Sequence, residues 1–258
     1  MYKEDISGRT AFISGASAGI GEATAKALAS NGVNLILTAR RIDKLENLKY
    51  SLEKEYKIKV KVIKIDFSKS EDIVNALNSL EGEWKNIDIL INNAGLALNK
   101  DVYSNSLLED ALQMIRVNCE GLITATRILI PSILKSRHGH IINIASTAAD
   151  EAYSGGAIYC ATKSFVEMFG DAIRIELVDK PVKVTNIKPG LVNTEFSTVR
   201  FKGDKEKADN VYKGLEPLLA ADIADNIEYV LTRKNYVQIS NMTIMAGNQA
   251  TATIAYRR

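Results

Sequence analysis

Seven short runs of consecutive apolar, largely β-branched residues recur along the chain: TAFISG, VNLILTA, VKVIKID, IDILIN, HIINIA, VKVTNIK and VQISNMTIM. Longer stretches with helical spacing separate them, and strands that alternate with helices predict parallel pairing through crossover helices. The runs are apolar throughout instead of at every second position, the pattern of strands covered by helices on both faces. The expectation is an α/β fold, a doubly wound, mostly parallel seven-stranded sheet with helices on both faces, in a single domain over residues 1–258. Two helical stretches, Leu107 to Leu134 and Ile158 to Val178, are apolar on more than one side. In the second, Phe165, Val166, Met168, Phe169, Ile173 and Leu177 do not fall on one stripe. Helices of this kind are covered twice, once by the sheet and once by something else. The one shift in composition is a polar stretch from Ser197 to Asn210, read as part of a loop at about 191–215.

Composition narrows the partners. With 46% hydrophobic residues in 258 the chain can bury one sizeable core. Thirty-three Lys and Arg face 31 Asp and Glu, a net charge of +2 with the signs interspersed, so neither nucleic acid nor an anionic membrane is an expected partner. The start, MYKEDISGR, has no apolar leader, and Arg127 interrupts the most apolar stretch, GLITATRILIPSIL. A soluble, cytoplasmic protein is expected. Cys119 and Cys160 have neither metal nor redox spacing, and the two histidines, His138 and His140, simply begin a strand, so no metal site is expected.

Candidate chemistry gathers at the strand ends. The first strand runs into Gly15-Ala16-Ser17-Ala18-Gly19-Ile20-Gly21 and then an alanine-rich helix, a turn whose backbone amides can approach a pyrophosphate. The spacing is GxxxGxG instead of GxGxxG, and no Gly-Lys-Ser/Thr follows, which excludes a Walker loop. The second strand ends in Arg40-Arg41, where an acid would bind a ribose 2′-hydroxyl; an arginine fork suits a 2′-phosphate instead. Arg41 can equally be a surface residue that begins a charged helix. Asp66 closes the third strand and Asn92-Asn93-Ala94-Gly95 the fourth. The fifth ends at Ser146, and Tyr159 and Lys163 follow four residues apart, neighbours on one helix face. A cation there can lower the phenol from about 10 toward neutrality at roughly 1.4 kcal/mol per unit, making Tyr159 a general acid or base, with Ser146 holding a substrate oxygen.

Strand, Ser146, and Tyr159-Cys-Ala-Thr-Lys163, together with the glycine turn and NNAG, resemble the short-chain dehydrogenase/reductase family. The resemblance implies a Rossmann fold binding NADP, with Ser146, Tyr159 and Lys163 catalytic and Asn118 as a fourth member that relays protons through water. Asn118 can otherwise be a polar residue at a local kink. It further implies cofactor contacts from Gly15, Ser17, Gly19, Ile20, Gly21, Arg40, Arg41 and Asp66, from Asn93, Ala94 and Gly95, and from Tyr159 and Lys163. Pro189, Gly190, Val192 and Thr194 would border the nicotinamide. A partner subunit would cover the outer helix faces, giving a homotetramer, or a dimer. TARR, NNAGLAL, HGHIINI, PGLVNTEFSTVRFKGD and the late Asn248-Gln249-Ala250 are similar to one subgroup, the NADP-dependent 3-hydroxy acid dehydrogenases acting on serine and allo-threonine. Two departures are Ser14 for a threonine, and Asn99-Lys100 where glycine is common. The substrate would then be a short 3-hydroxy acid, 3-hydroxyisobutyrate and 3-hydroxypropionate included, or the corresponding oxo acid. Ser146 and Tyr159 would hold its reacting oxygen; Arg200 is a better candidate than Lys202 for its carboxylate, or else a solvated loop charge. The rival readings are a reductase of neutral ketones, acyl carriers or sugars, and a non-catalytic NADP-sensing regulator. The joint presence of Ser146, Tyr159 and Lys163 speaks against the regulator.

Overall fold

In the computed structural model, which describes residues 3–258, each of the seven apolar runs contributes a strand to one sheet. In chain order the first half is β1 (Thr10–Ser14), α1 (Gly19–Ser30), β2 (Asn34–Ala39), α2 (Ile42–Glu55), β3 (Val60–Lys64), α3 (Ser70–Asn78) and β4 (Ile89–Asn92). The second half continues with α4 (Leu108–Ile115), α5 (Gly121–Ile133), β5 (Gly139–Ile144), α6 (Ala157–Glu176), β6 (Val182–Pro189), β7 (Val192–Asn193), α7 (Glu195–Arg200), α8 (Lys205–Asn210), β8 (Leu218–Leu219), α9 (Ala220–Leu231) and β9 (Asn241–Ile244). The sheet order is β3-β2-β1-β4-β5-β6-β9 with every pair parallel, and β7 and β8 form a small separate pair. The order reverses between β1 and β4, which opens a crevice at the carboxyl ends of the strands. The first two residues of MYKEDISGR lie outside the described residues.

The unbroken apolar runs have a direct explanation in packing. Ala11 and Ile13, Leu35 and Leu37, Ile89 and Ile91, and Ile142 and Ile144 point into a core shared with α1, α2 and α9. Phe12, Ile36, Leu90 and Ile141, one residue out of phase, point into a second core shared with α3, α5 and α6. Burial of each such side chain contributes on the order of 1.5–3 kcal/mol, so both faces select for apolar residues. One polar rung crosses the sheet. Asn92, Asn143, Asn186 and Asn241 stand in register on four adjacent strands, and their amides bond in series at 2.9, 3.0 and 2.9 Å.

Two expectations are corrected. The continuous helix from Leu107 to Leu134 is broken by a π-helical turn over Arg116–Glu120, between α4 and α5. The polar stretch from Ser197 to Asn210 is not a plain loop. Thr194 accepts the Phe196 N–H and Asp204 accepts the Lys207 N–H, and these caps start α7 and α8. Apolar side chains remain on the outer faces of α4, α5 and α6: Leu108, Leu112, Ile115, Ile123 and Phe165 are exposed, as are Met168 at 68% and Ile175 at 72%. Among the described residues no helix is long and apolar enough to cross a membrane.

Candidate active site

A cleft of about 690 Å³ runs along the crevice from the glycine turn to Arg200. At the glycine end, Gly15 has φ of 67° and Gly19 of 58°, the left-handed conformation in which a side chain is strained. Space is short as well. A Cβ on Gly15 would lie 3.0 Å from both Ala94 Cα and Asn93 Nδ2, and one on Gly21 only 2.4 Å from the Gly15 carbonyl oxygen. Gly15, Ser17, Gly19 and Ile20 line the cleft, whereas Gly21 does not; it lets α1 pack onto the turn. Ala18 precedes α1 and has no side chain to cap it, so the amides of the first turn are left for an anion. Ser14, in place of a threonine, keeps the needed hydroxyl: its Oγ accepts the N–H groups of Asn93 and Ala94, each at 2.9 Å, while Asn93 Nδ2 donates back to the Ser14 carbonyl at 2.8 Å. Asn93, Ala94 and Gly95 thereby form the cleft wall opposite the turn.

The two arginines are placed differently. Arg41 is already engaged, with Nη1 2.7 Å from Glu195 Oε2 and Nε and Nη2 at 3.2 and 3.1 Å from Ser17 Oγ. Lys44 holds the other Glu195 oxygen at 2.8 Å. Arg40 is exposed at the cleft and makes no hydrogen bond among the described residues. Burial pushes the nearby Asp66 carboxyl up, but the Ser68 N–H and hydroxyl, with the Arg40 charge, hold it below its ordinary value.

At the far end, Ser146 follows β5 and its Oγ accepts the Ala148 N–H at 3.1 Å. Tyr159 stands in the first turn of α6 and Lys163 one turn later, both lining the cleft. Burial pushes the Tyr159 phenol up to about 12; the Arg200 charge and a bond with Ser146 work against that rise. Burial also pushes Lys163 down to about 8. The expected lowering of the phenol toward neutrality by Lys163 is therefore corrected: the phenol stands above its ordinary value, and Lys163 is not the cation that acts on it. The Lys163 ammonium donates to the Ile144 carbonyl at 2.7 Å and lies 6.0 Å from the Tyr159 ring centroid, so Arg200 is the cation that favours the phenolate. Asn118 lies in the π-helical turn, buried behind the cleft wall instead of lining it. It bonds Leu96 through N–H···Oδ1 and Nδ2–H···O=C, both at 2.8 Å, and donates to Thr162 Oγ1 at 3.0 Å. Kink and residue coincide: the extra residue of the π turn brings this amide to the strand-end segment.

Pro189, Gly190, Val192 and Thr194 line the cleft beside these groups. Beyond them the Arg200 guanidinium lies 5.1 Å from the Tyr159 ring centroid and 5.8 Å from that of Phe196. Its Nη2 donates to the Tyr153 hydroxyl at 3.2 Å, and its Nε is buried with no partner among the described residues. Lys202, the other candidate cation, does not line the cleft; it pairs with Asp110 at 2.8 Å. Two site residues carry no signal in the sequence. Tyr153 sits in a polar, glycine-rich segment with no pattern to mark it. Gln249 lies in the NQA tripeptide, but nothing there foretells that its Oε1 accepts the Leu191 N–H at 2.9 Å and fills the space a Cβ on Gly190 would need.

A parallel sheet with an anion-binding turn at its switch point and a serine, tyrosine and lysine at the same edge defines a nucleotide-dependent oxidoreductase scaffold. Residues 9–205 match the short chain dehydrogenase family, and the chain belongs to it. An NADP-dependent 3-hydroxy acid dehydrogenase of Schizosaccharomyces pombe is 42% identical over 254 residues, 98% of each chain. A serine 3-dehydrogenase of Agrobacterium fabrum is 37% identical over 243 residues, 94% of this chain and 96% of that one. Among solved structures, the closed form of a serine dehydrogenase complexed with NADP+ superposes with a TM-score of 0.89 at 39% identity, covering 96% of this chain and 99% of that one.

Proposed function

We propose that the protein is an NADP-dependent oxidoreductase that interconverts a short 3-hydroxy acid and the corresponding oxo acid, with serine, allo-threonine, 3-hydroxyisobutyrate and 3-hydroxypropionate as the substrate class. The names of the relatives support this reading. The observation that carries it is Arg200, a guanidinium held over the Tyr159 ring whose buried Nε has no partner among the described residues. A 3-hydroxy acid has its carboxylate two carbons from the reacting carbinol, and an arginine fork beside the phenol answers that spacing. A neutral alcohol has no use for it.

The glycine turn fits a dinucleotide, because Gly15 and Gly21 let it pack tightly against Asn93, Ala94 and the start of α1, with Ser17, Gly19 and Ile20 left facing the cleft. Ser17, Gly19 and Ile20 would hold the pyrophosphate, Arg40 the 2′-phosphate, and Asp66 with Asn93, Ala94 and Gly95 the adenosine side. Thr194, Val192 and the Pro189-Gly190 turn would border the nicotinamide, which when bound accepts or supplies the hydride. The chain's own residues do the rest. Ser146 donates a hydrogen bond to the substrate oxygen, a contact worth about 3 kcal/mol where charge develops. Tyr159 takes the hydroxyl proton in oxidation and returns it in reduction. Lys163 would hold the nicotinamide ribose and, with Asn118 behind it, would pass the proton toward water. In this reading the enzyme is a cytoplasmic homotetramer, supported by the outward apolar faces of α4, α5 and α6. The test is a panel of 3-hydroxy acids and neutral alcohols with NADP+, followed by the absorbance of reduced nicotinamide. Turnover of the acids is expected, and turnover of neutral alcohols alone would overturn the proposal.

A further inference from the structure

Among the described residues two that are not glycine hold the left-handed backbone conformation, Asn99 at φ 55° and Lys202 at φ 52°. A Cβ is crowded there, for lysine more than for asparagine, so such residues stay only where the surroundings hold them. They come from segments far apart in the chain: Asn99 follows the NNAG segment, and Lys202 follows the end of α7. Both reach the same atom. Asn99 Nδ2 donates to Asp110 Oδ2 at 2.8 Å, and Lys202 Nζ lies 2.8 Å from that same oxygen. Asp110 stands on the inner side of α4 and is 8% exposed. The backbone closes the ring, since the Asn99 N–H donates to the Arg200 carbonyl at 2.8 Å. The Arg200 segment is thereby fixed to α4 from both sides, and none of these bonds uses the guanidinium. An exposed ion pair by itself is worth little. Here the pair's consequence is geometric, because it chooses where a six-residue helix places its last side chain.

We propose that Asn99, Asp110 and Lys202 form a latch that positions Arg200 for the substrate carboxylate, with Asp110 as the positioning residue. The proposal rests on the reading of Arg200 given above. Without the Asp110 carboxylate, Asn99 and Lys202 are free to leave the left-handed conformation, and Arg200 drifts from the place a carboxylate needs. Ser146, Tyr159 and Lys163 belong to other segments and keep their places. Whatever charge Tyr159 loses with Arg200 is lost for acid and ester alike, so the loss of carboxylate binding shows as a higher KM for acids and a lower acid-to-ester ratio of kcat/KM.

The test measures kcat and KM for a 3-hydroxy acid and its methyl ester in Asp110→Ala, Lys202→Met, Asn99→Gly and Arg200→Leu, and in Asp110→Ala combined with Arg200→Leu. Asp110→Ala is expected to raise the acid KM about tenfold without raising the ester KM, while any fall in kcat from the displaced Arg200 charge is shared by acid and ester, so the acid-to-ester ratio of kcat/KM drops about tenfold. Lys202→Met and Asn99→Gly should move the same way by less; glycine keeps the backbone bond to Arg200 and is at ease at positive φ, so that variant isolates the side-chain bond to Asp110. Added to Arg200→Leu, Asp110→Ala should cause no further loss for the acid. Amide exchange over residues 197–203 should quicken in Asp110→Ala. Equal losses for acid and ester, an unchanged acid-to-ester ratio in the folded latch variants, or full additivity with Arg200→Leu would overturn the latch. If Asp110→Ala does not fold, the acid-to-ester ratios of Lys202→Met and Asn99→Gly decide in its place. A collapsed ratio in Arg200→Leu with an intact ratio in the latch variants defeats the latch alone. An intact ratio in Arg200→Leu defeats the reading of Arg200 and the latch with it.

Discussion

Replacing Gly170 by alanine sets helix propensity directly against packing. Alanine is about 1 kcal/mol better than glycine inside a helix, and Gly170 lies well within α6, so propensity alone predicts a more stable protein. A Cβ there would lie 2.0 Å from Asn186 Oδ1 and 2.7 Å from Asn143 Nδ2. These are the acceptor and donor of the central bond of the asparagine rung, at 3.0 Å, and both residues are fully buried. Overpacking costs about 1–3 kcal/mol, and a broken buried hydrogen bond costs about 1–3 kcal/mol for each group left unpaired. With one of the two groups left unpaired and the propensity gain subtracted, the net loss is about 3 kcal/mol, or roughly 6–12 °C in Tm for a domain of this size. Because α6 also carries Tyr159 and Lys163, pushing it off the sheet should lower kcat about tenfold. Thermal melts at fixed protein concentration read the first effect and steady-state kinetics the second. In an Asn186→Ala background the obstructing oxygen is gone, and the cost of Gly170→Ala should shrink by more than about 1 kcal/mol. A Gly170→Ala protein that melts at or above wild type would refute the reasoning.

Wild type should prefer NADP over NAD by about 30-fold to 150-fold in kcat/KM, the equivalent of about 2–3 kcal/mol from one charge-assisted fork. Arg40→Ala should remove most of that preference, whereas Arg41→Ala, which frees Ser17 and Glu195, should weaken both cofactors; an unchanged ratio in Arg40→Ala would contradict the assignment. Tyr159→Phe should fold, bind NADPH and turn over at least about a thousandfold more slowly, and retention of more than about a tenth of wild-type activity would rule it out as the proton carrier. With the Tyr159 phenol pushed up to about 12, the acid form predominates at neutral pH, so kcat/KM for reduction should be level there while that for oxidation, which needs the phenolate, climbs with pH. A level or falling oxidation profile would contradict that.

Those parts of the fold that depend on composition alone were legible in the sequence. Seven apolar runs gave seven parallel strands, because a sheet covered on both faces demands apolar residues at every position. The turn at Gly15, the Asn93 segment, Ser146 and the Tyr159-Lys163 pair announced the cleft because each is local, set by one strand end or one helical turn. What depended on contacts between distant segments was not legible. The π-helical turn exists where Asn118 grips the backbone of Leu96, 22 residues away. Lys163 turns to the Ile144 carbonyl, a direction that four-residue spacing does not specify. The sequence offered Arg200 as a candidate for the carboxylate or else as a solvated loop charge; its Tyr153 partner and its seat over Tyr159 come from three segments meeting. The starts of α7 and α8 were readable after all, since Thr194 and Asp204 are good capping residues, but a polar stretch with a Pro-Gly turn before it masked them.

The central claim is that the cleft recognises a carboxylate beside the reacting carbinol, and the most direct measurement compares 3-hydroxyisobutyrate with its methyl ester in the wild-type protein with NADP+. The two substrates share carbinol and carbon skeleton and differ in the charge that Arg200 would bind. A charge-assisted bond worth about 1.5–3 kcal/mol corresponds to a kcat/KM for the acid at least about tenfold above that of the ester. An ester oxidised as efficiently as the acid would contradict the account.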